Sequence, residues 1–285
     1  MAKVLTGKEV AAAVNARSKL MLEELQNKGI TPKLAILRVG EKENDLSYEK
    51  GILKRCAELG VEYQQVVFPL DAEEKELLLA IDQLNKDDSV HGILLFRPLP
   101  KRMDEDFIVN SIAPQKDVDG CTNLSLAGVF AAKPLGFAPC TAQAAMEALD
   151  YYGYELQGKN VVVIGRSLVV GKPLSMLLSN RHATVTICHS RSQNIAEHTQ
   201  HADIVVAAMG KPEILGASYF AENQVVLDVG VSWNEAKGKL TGDVNYEEAE
   251  KIVSAITPVP RGIGSITTAV LMNHVIISAY QTISK

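Results

Sequence analysis

Asn160 to Leu178 reads NVVVIGRSLVVGKPLSMLL. Five residues, Asn160 to Ile164, have the β-branched apolar character of a buried strand, and they run directly into Gly165, Arg166 and Ser167. Gly171 follows, and then a stretch of helical composition. A strand that feeds a tight turn and then a helix offers backbone N–H groups and the positive end of the helix dipole to an anion, the arrangement that holds a pyrophosphate. Gly171 also allows helix and strand to approach closely. Ser167 stands where the second glycine of G-x-G-x-x-G would fall. An ordinary βα turn, with glycines that only satisfy backbone geometry, remains open on spacing alone.

The pattern continues on both sides of this stretch. Downstream, Thr184 to Cys188, Ile204 to Ala208 and Val225 to Val229 read as further short apolar strands, the first of them set apart by helical segments. Upstream, Lys33 to Val39, Glu62 to Phe68 and Gly92 to Phe96 read as strands, with helices expected over Lys8 to Lys28, Asp45 to Leu59 and Ala72 to Asn85. Gly29 and Gly60 stand where helix C-caps fall. Alternating strands and helices mean an α/β fold with parallel sheet. Aromatic residues make up only 5% of the chain, so Val, Ile, Leu and Ala must fill the core, as suits strands buried on both faces.

At 285 residues the chain has room for two modest domains or one large one. The expected division runs through Pro139 to Thr141, where a loop-rich stretch meets a helix over Ala142 to Tyr152. That gives one domain over residues 1–140 and a Rossmann-type domain over 141–265. A last apolar helix, 266–285, is expected to pack back on the first.

Composition excludes several classes. The formal net charge is −5 and no basic stripe occurs, which argues against nucleic acid as a partner. Cys56, Cys121, Cys140 and Cys188 form neither a C-x-x-C pair nor a zinc-like spacing, so no metal site and no disulfide framework is expected. No apolar run approaches the length of a membrane span, and Met1 to Val10 lacks an apolar signal core. A reduced, cytoplasmic enzyme with no membrane partner is the expectation.

The end of the strand after the glycine turn bears on the cofactor. An acidic residue there binds the ribose hydroxyls of NAD. This chain has Cys188, His189, Ser190, Arg191 and Ser192 instead. A hydroxyl and a cation, with Arg166 as a second cation, suit a 2′-phosphate, which favours NADP, with NAD the alternative. Arg191 would equally serve as a solvated surface residue.

A set of ordered motifs carries a resemblance. RVG at 38–40 is followed by Tyr48; PLP lies at 98–100, KDVDG at 116–120 and PCT at 139–141. GRSxxVGKP follows at 165–173, CHSRS at 188–192, TGDV at 241–244 and TPVPxGxG at 257–264. In that order and spacing the chain resembles the methylenetetrahydrofolate dehydrogenase/methenyltetrahydrofolate cyclohydrolase family along nearly its whole length. The resemblance implies an N-terminal α/β folate-binding domain, a Rossmann-type NAD(P) domain, a folate cleft between them, and a homodimer. It implies oxidation of a tetrahydrofolate derivative, 5,10-methylenetetrahydrofolate, by hydride transfer to the nicotinamide.

Site residues carry over position by position. Tyr48 matches the tyrosine over the folate site, and Asp119 the aspartate that hydrogen-bonds the pterin ring; these two are the expected catalytic residues. Without the resemblance Tyr48 would be a helix residue filling core, and Asp119 the first half of a D-G turn. Phe96, Pro98, Leu99, Pro260 and Gly264 match positions lining the folate. Thr141, Gly165, Arg166, Ser167, Val169, Ser190, Arg191, Val231 and Thr267 match positions around the nucleotide.

The departures separate two activities. Bifunctional members carry Tyr-x-x-x-Lys, and that lysine performs the cyclohydrolase step; here the fourth residue after Tyr48 is Ile52. On a helix Ile52 falls about 40° from Tyr48, whereas Lys50 and Lys54 fall about 200° and 240° away. Arg55 returns to the face about 10 Å further along, but its guanidinium stays protonated and is no base. Bifunctional members also carry a glutamine, partner of that lysine, two residues before PLP; here it is Phe96. Losing both leaves no stranded polar group, whose burial would cost about 1–3 kcal/mol. The expected enzyme therefore keeps the dehydrogenase and lacks most or all cyclohydrolase activity. A fully bifunctional enzyme using another base is the alternative, and a non-catalytic nucleotide-binding protein a third reading. Two smaller departures are Asp45, read as a cap for the helix of Tyr48, and Arg261, where a glycine is usual.

Overall fold

Apolar strands of two to seven residues and the helices between them build two separate parallel sheets. The structure is a computed structural model and describes residues 1–283, with the side chain of Asn44 left undescribed. In chain order the elements are β1 (Lys3–Val4), α1 (Gly7–Asn27), β2 (Lys33–Val39), α2 (Glu43–Leu59), β3 (Glu62–Phe68), α3 (Glu74–Lys86) and β4 (Gly92–Leu95). Then come α4 (Glu105–Asn110), α5 (Asn123–Ala131), α6 (Cys140–Tyr151), β5 (Asn160–Ile164), α7 (Gly171–Asn180), β6 (Thr184–Cys188), α8 (Ile195–Gln200) and β7 (Ile204–Ala207). The chain ends with β8 (Val225–Asp228), β9 (Ser232–Asn234), β10 (Lys239–Thr241), α9 (Tyr246–Ala249), β11 (Ala255–Ile256) and α10 (Gly264–Thr282).

The smaller sheet belongs to a unit of residues 14–140 and 268 onward. Its order is β3-β2-β4, all parallel. The central strand β2 is buried from Leu34 to Val39, whereas the edge strand β3 alternates between half-buried and exposed positions. Leu77, Ile81 and Leu84 repeat at helical spacing along one face of α3 and join Leu37, Ile93, Leu95 and Ile108 in a single core cluster. The C-terminal helix contributes here too: Ser18 on α1 donates to Asn273 Oδ1 on α10 at 2.9 Å.

The larger sheet belongs to residues 1–13 and 141–267. Its order is β1-β11-β8-β7-β5-β6, again all parallel. From β5 the chain steps outward to β6, then returns to the other side of β5 as β7. The direction of winding reverses at that point, and ligands of doubly wound sheets bind beside such a reversal, beyond the carboxyl ends of the strands. Register puts Ile164, Cys188, Ala207 and Asp228 side by side, so Gly165, His189, Ala208 and Val229 all leave the sheet along one edge.

The α/β class with parallel sheets is as the strand–helix alternation implies. Three features differ from the sequence reading. Residues 1–13 belong with the larger sheet rather than with a 1–140 domain, because β1 is a sixth parallel strand paired with β11, Lys3↔Ala255 and Val4↔Ile256. Two residues carry too little pattern to be read as a strand. The antiparallel hairpin β9–β10, with Trp233 opposite Leu240, was also invisible as alternation. The final helix begins at Gly264, and Ser284 and Lys285 of the expected 266–285 segment lie outside the described residues. No helix among the described residues is long and apolar enough to cross a membrane.

The loop from Thr257 to Gly264 is pinned by close backbone contacts within the larger unit. Gly7 N–H donates to Arg261 O at 2.8 Å, and a Cβ on Gly7 would lie 2.1 Å from Gly262 O. Arg261 itself holds φ at 82°, a left-handed conformation that costs a residue with a Cβ about 1 kcal/mol or more. Arg261→Gly is therefore expected to stabilise the protein by about 1 kcal/mol, read as a higher midpoint in thermal or urea unfolding. An unchanged or lower midpoint contradicts the strain at this residue.

Candidate active site

The glycine turn after β5 is shaped by contacts that admit no side chain. Gly165 has φ 144° and donates to Cys188 O at 2.8 Å; a Cβ there would sit 2.2 Å from Ala208 O. A Cβ on Gly171 would sit 2.1 Å from Gly165 O. The first turn of α7 is thus pressed against the end of β5, and Gly165 against the end of β7. Between them Arg166, Ser167, Leu168 and Val169 are exposed. Ser167 Oγ accepts from Val170 N at 3.1 Å and its carbonyl accepts from Lys172 N, so Ser167 closes the loop internally.

Beside it, the end of β6 forms a second turn. Ser192 N donates to His189 O, and Ser192 Oγ accepts from His189 N at 3.0 Å. Ser190 and Arg191 form the exposed tip. Among the described residues neither Arg166 nor Arg191 has an ion-pair partner, and no carboxylate stands at this strand end. Two unpaired cations on adjacent turns, next to a backbone cradle, have the charge and geometry that could hold a dinucleotide phosphate.

Two buried carboxylates hold the neighbouring loops, and neither was singled out from sequence. Asp243, fully buried, accepts from Met209 N, from Gly210 N at 3.2 Å and from Lys211 N at 2.7 Å, fixing the turn after β7. Asp228, at the end of β8, accepts from Gly230 N, Asp243 N and Val244 N. Burial, partly offset by those N–H donors and reinforced by the charge of Asp243, lifts the Asp228 carboxyl to about 7. The TGDV motif at 241–244 therefore has a structural reason. Asp243 builds the rim of the sheet edge, and Gly242 leaves room for Asp228, whose oxygen would lie 1.9 Å from a Cβ there. Val231, exposed, follows this rim, and Thr141 and Thr267 are half-buried in the same unit. Pro260 is exposed in its last loop, and Gly264 is exposed at the start of α10.

In the other unit the KDVDG motif divides its labour. Lys116 Nζ donates to the carbonyls of Leu84, Asn85 and Asp87, so it fastens the end of α3. Asp117, fully buried, accepts from Cys121 N, Thr122 N and Ser125 Oγ, which ties the turn to the start of α5. Val118 O takes the Cys140 thiol at 3.2 Å and lies 2.8 Å from His274 Nδ1. These anchors leave Asp119 as the member that faces outward. Its carboxylate lies 3.6 Å from Arg97 Nη2, and both side chains keep about a quarter of their surface open, 28% and 24%. Desolvation raises the Asp119 carboxyl to about 6 even though Arg97 opposes the shift.

Tyr48 reaches the same place from α2. Its ring meets Phe96 edge-on, centroids 5.8 Å apart. Desolvation, and then the charge of Asp119, push its hydroxyl above the ordinary phenol range, so it is a neutral donor. The helix is held by a network around the buried Glu49 that sequence reading missed: the buried Arg38 Nε donates to Glu49 Oε2 at 2.8 Å, and Gln65 Nε2, from the edge strand, to Glu49 Oε1 at 2.6 Å. Asp45 is not the cap, because α2 begins at Glu43 with Lys42 at the N-cap; Asp45 sits inside the first turn. Lys42 instead donates to Pro98 O at 2.8 Å, across from the exposed Pro98 ring. Leu99 is as buried as Phe96, packed in the core cluster of β2 and β4, its N–H on Glu105.

The altered positions are both buried. Ile52 is fully enclosed, and Phe96 is 8% exposed. Lys50 and Lys54 are exposed, as a regular helix requires, and Arg55 is paired with Glu58 at 2.7 Å. No lysine of α2 joins Tyr48.

Comparison with known proteins agrees with the arrangement. The model of the tetrahydrofolate dehydrogenase/cyclohydrolase catalytic domain matches residues 5–119, and that of the family's NAD(P)-binding domain matches residues 139–283. A bifunctional protein FolD of Clostridium botulinum is 46% identical over 279 residues, 98% of this chain and 99% of its own. The crystal structure of a bifunctional FolD methylenetetrahydrofolate dehydrogenase/cyclohydrolase from Campylobacter jejuni superimposes with a TM-score of 0.95 at 36% identity, covering 99% of this chain and 100% of that one. The methylenetetrahydrofolate dehydrogenase-cyclohydrolase (FolD) of Trypanosoma brucei, crystallised with NADP and an inhibitor, gives a TM-score of 0.91 at 31% identity, covering 100% of this chain and 99% of that one. The chain belongs to the tetrahydrofolate dehydrogenase/cyclohydrolase family.

Proposed function

We propose that this protein is an NADP-dependent 5,10-methylenetetrahydrofolate dehydrogenase that stops at the methenyl product. The observation that carries the dehydrogenase is the pairing of an anion cradle at Gly165 to Gly171 with a convergent Tyr48–Asp119 pair in a chain of this family. The cofactor fits the residues present, because the contacts at Gly165 and Gly171 leave room for backbone alone, and Arg166 and Arg191 stand uncommitted beside them. NADP rather than NAD rests on those cations and on the missing acid at the end of β6.

When bound, the nicotinamide supplies the hydride acceptor. The chain's own contribution is placement and polarity. The turn amides and Arg166 take the pyrophosphate; Ser190 and Arg191 take the ribose phosphate. Thr141, Val169, Val231 and Thr267 belong to the same nucleotide subsite. Asp119 accepts from the 2-amino and N3 hydrogens of the pterin, Tyr48 covers it as a neutral donor, and Phe96 and Pro98 give it apolar walls. No protein acid or base is required, since the folate nitrogen lone pairs drive the hydride out and leave a methenyl cation. Hydrolysis of that cation needs a base near Tyr48, and the position on its helix face holds Ile52. The homodimer is part of this reading through the resemblance.

One observation favours a second reading: the Clostridium botulinum and Campylobacter jejuni relatives are both named bifunctional. In that case another group activates water, and 10-formyltetrahydrofolate is formed as well.

Two measurements test these assignments. Initial rates are expected to be higher with NADP than with NAD. Arg191→Ala should raise the NADP KM roughly tenfold, as loss of a charge-assisted contact does, and leave the NAD KM unchanged. Faster turnover with NAD overturns the cofactor assignment. Methenyltetrahydrofolate supplied to the enzyme is expected to decay at its uncatalysed rate; enzyme-dependent hydrolysis establishes the bifunctional reading instead. Ile52→Lys alone should destabilise the fold by about 3 kcal/mol, the cost of an uncompensated buried charge, and Phe96→Gln in the same chain should recover part of that and some hydrolysis.

A further inference from the structure

Arg97 has no role in the reading above, yet it touches the centre of the folate subsite. It follows Phe96 at the end of β4, one residue before Pro98. While Phe96 is buried against Tyr48, the Arg97 guanidinium lies against Asp119, Nη2 to Oδ2 3.6 Å. The other groups facing that carboxylate are Asp117 from the same turn, the Cys140 thiol at the start of α6, and the Tyr48 hydroxyl from α2. Cys121, in the same turn, also lies within electrostatic reach. Asp117 repels the ionised form of Asp119. Tyr48 and both thiols are held neutral by desolvation and nearby acids. Among these groups Arg97 supplies the one positive charge.

The chemistry of recognition makes that charge consequential. An ionised carboxylate offers both oxygens as acceptors to two N–H groups; once protonated, one of them presents a donor where the pterin also presents a donor. We propose that Arg97 is a positioning residue of the folate subsite, its guanidinium fixing the Asp119 carboxylate in the acceptor form that the pterin N–H groups require. This rests on the reading of Asp119 as the pterin acceptor. It also gives the FRPLP segment a single logic: Phe96 removes the polar partner of the lost lysine, and Arg97 secures the acid that remains. Arg97 acts on the folate side only, so its removal weakens folate capture at low pH and leaves the nucleotide untouched.

The test is the pH dependence of kcat/KM for methylenetetrahydrofolate at saturating NADP, which reports groups of the free enzyme. Arg97→Gln and Arg97→Leu are both neutral, so the failure of one to fold leaves the other. Each is expected to move the acid limb upward by about one pH unit, as loss of a cation beside a carboxylate does, with the NADP KM unchanged. Arg97→Lys is expected to return the limb most of the way. Asp119→Asn, run in parallel, should lower kcat/KM and abolish the limb. If Asp119→Asn is impaired but the neutral Arg97 variants superimpose on the parent profile, the role of Arg97 is overturned while the folate reading stands. An Arg97 variant that loses activity equally at every pH, or whose NADP KM rises, overturns it as well, because that is a general structural defect. If Asp119→Asn matches the parent, the folate reading of Asp119 fails and takes this proposal with it.

Discussion

The backbone contact between Gly165 and Gly171 is the constraint on which the larger unit depends. A Cβ on Gly171 would lie 2.1 Å from the carbonyl of Gly165, inside any tolerable separation. Helix α7 therefore enters the sheet edge nearer than side chains ordinarily allow, with the loop between the glycines looped outward and exposed. The turns after β6 and β7 are then set by register, because Ile164 pairs with both Cys188 and Ala207. Asp243 and Asp228 complete the rim by spending buried carboxylates on six backbone N–H groups. Burial disfavours the ionised form of Asp228, the charge of Asp243 adds to it, and its proton is held to about pH 7. The folded state binds that proton more tightly than the unfolded chain does. This group's contribution to stability thus declines as pH rises from about 4, the ordinary aspartate range, toward 7, and the rim is most secure on the acid side of neutrality.

The smaller unit solves a similar problem with different materials. Its outward carboxylate, Asp119, is aimed by a motif whose other members are all committed inward. Lys116 is spent on three carbonyls at the end of α3, and Asp117 on the turn that starts α5. Buried lysines and aspartates of this kind are tolerable because each donor or acceptor site is met. The helix bearing Tyr48 is fastened in the same manner by Arg38, Glu49 and Gln65. In both units charge is used as carpentry around one open position.

Most of the strands and helices could be read directly, since each carries enough residues to show a period. The glycine turn, the exposed Arg166 and Arg191, and the Tyr48 helix face were likewise visible in local spacing. What escaped was fixed by partners far along the chain. Lys116 reads as a surface lysine until the carbonyls some thirty residues earlier come into place around it, and Asp243 reads as a turn residue until Met209 to Lys211 fold back on it. The strand β1 is invisible alone, being two residues long and defined wholly by β11.

Where the resemblance implies a lysine and a glutamine, this chain has Ile52 and Phe96, and a paired change is more informative than a single one. A lysine left without its glutamine, or the reverse, would bury an unmet polar group at a cost of about 1–3 kcal/mol, a large fraction of the stability of a domain. Ile52 is completely enclosed and Phe96 nearly so, and both are apolar, so neither leaves a debt. The same enclosure makes the change hard to reverse one residue at a time, because the first polar residue to return would be buried unpaired. Selection on either position alone therefore sees only a loss. An apolar pair of this kind is a stable end state of packing, and it leaves the Tyr48 ring edge-on to Phe96.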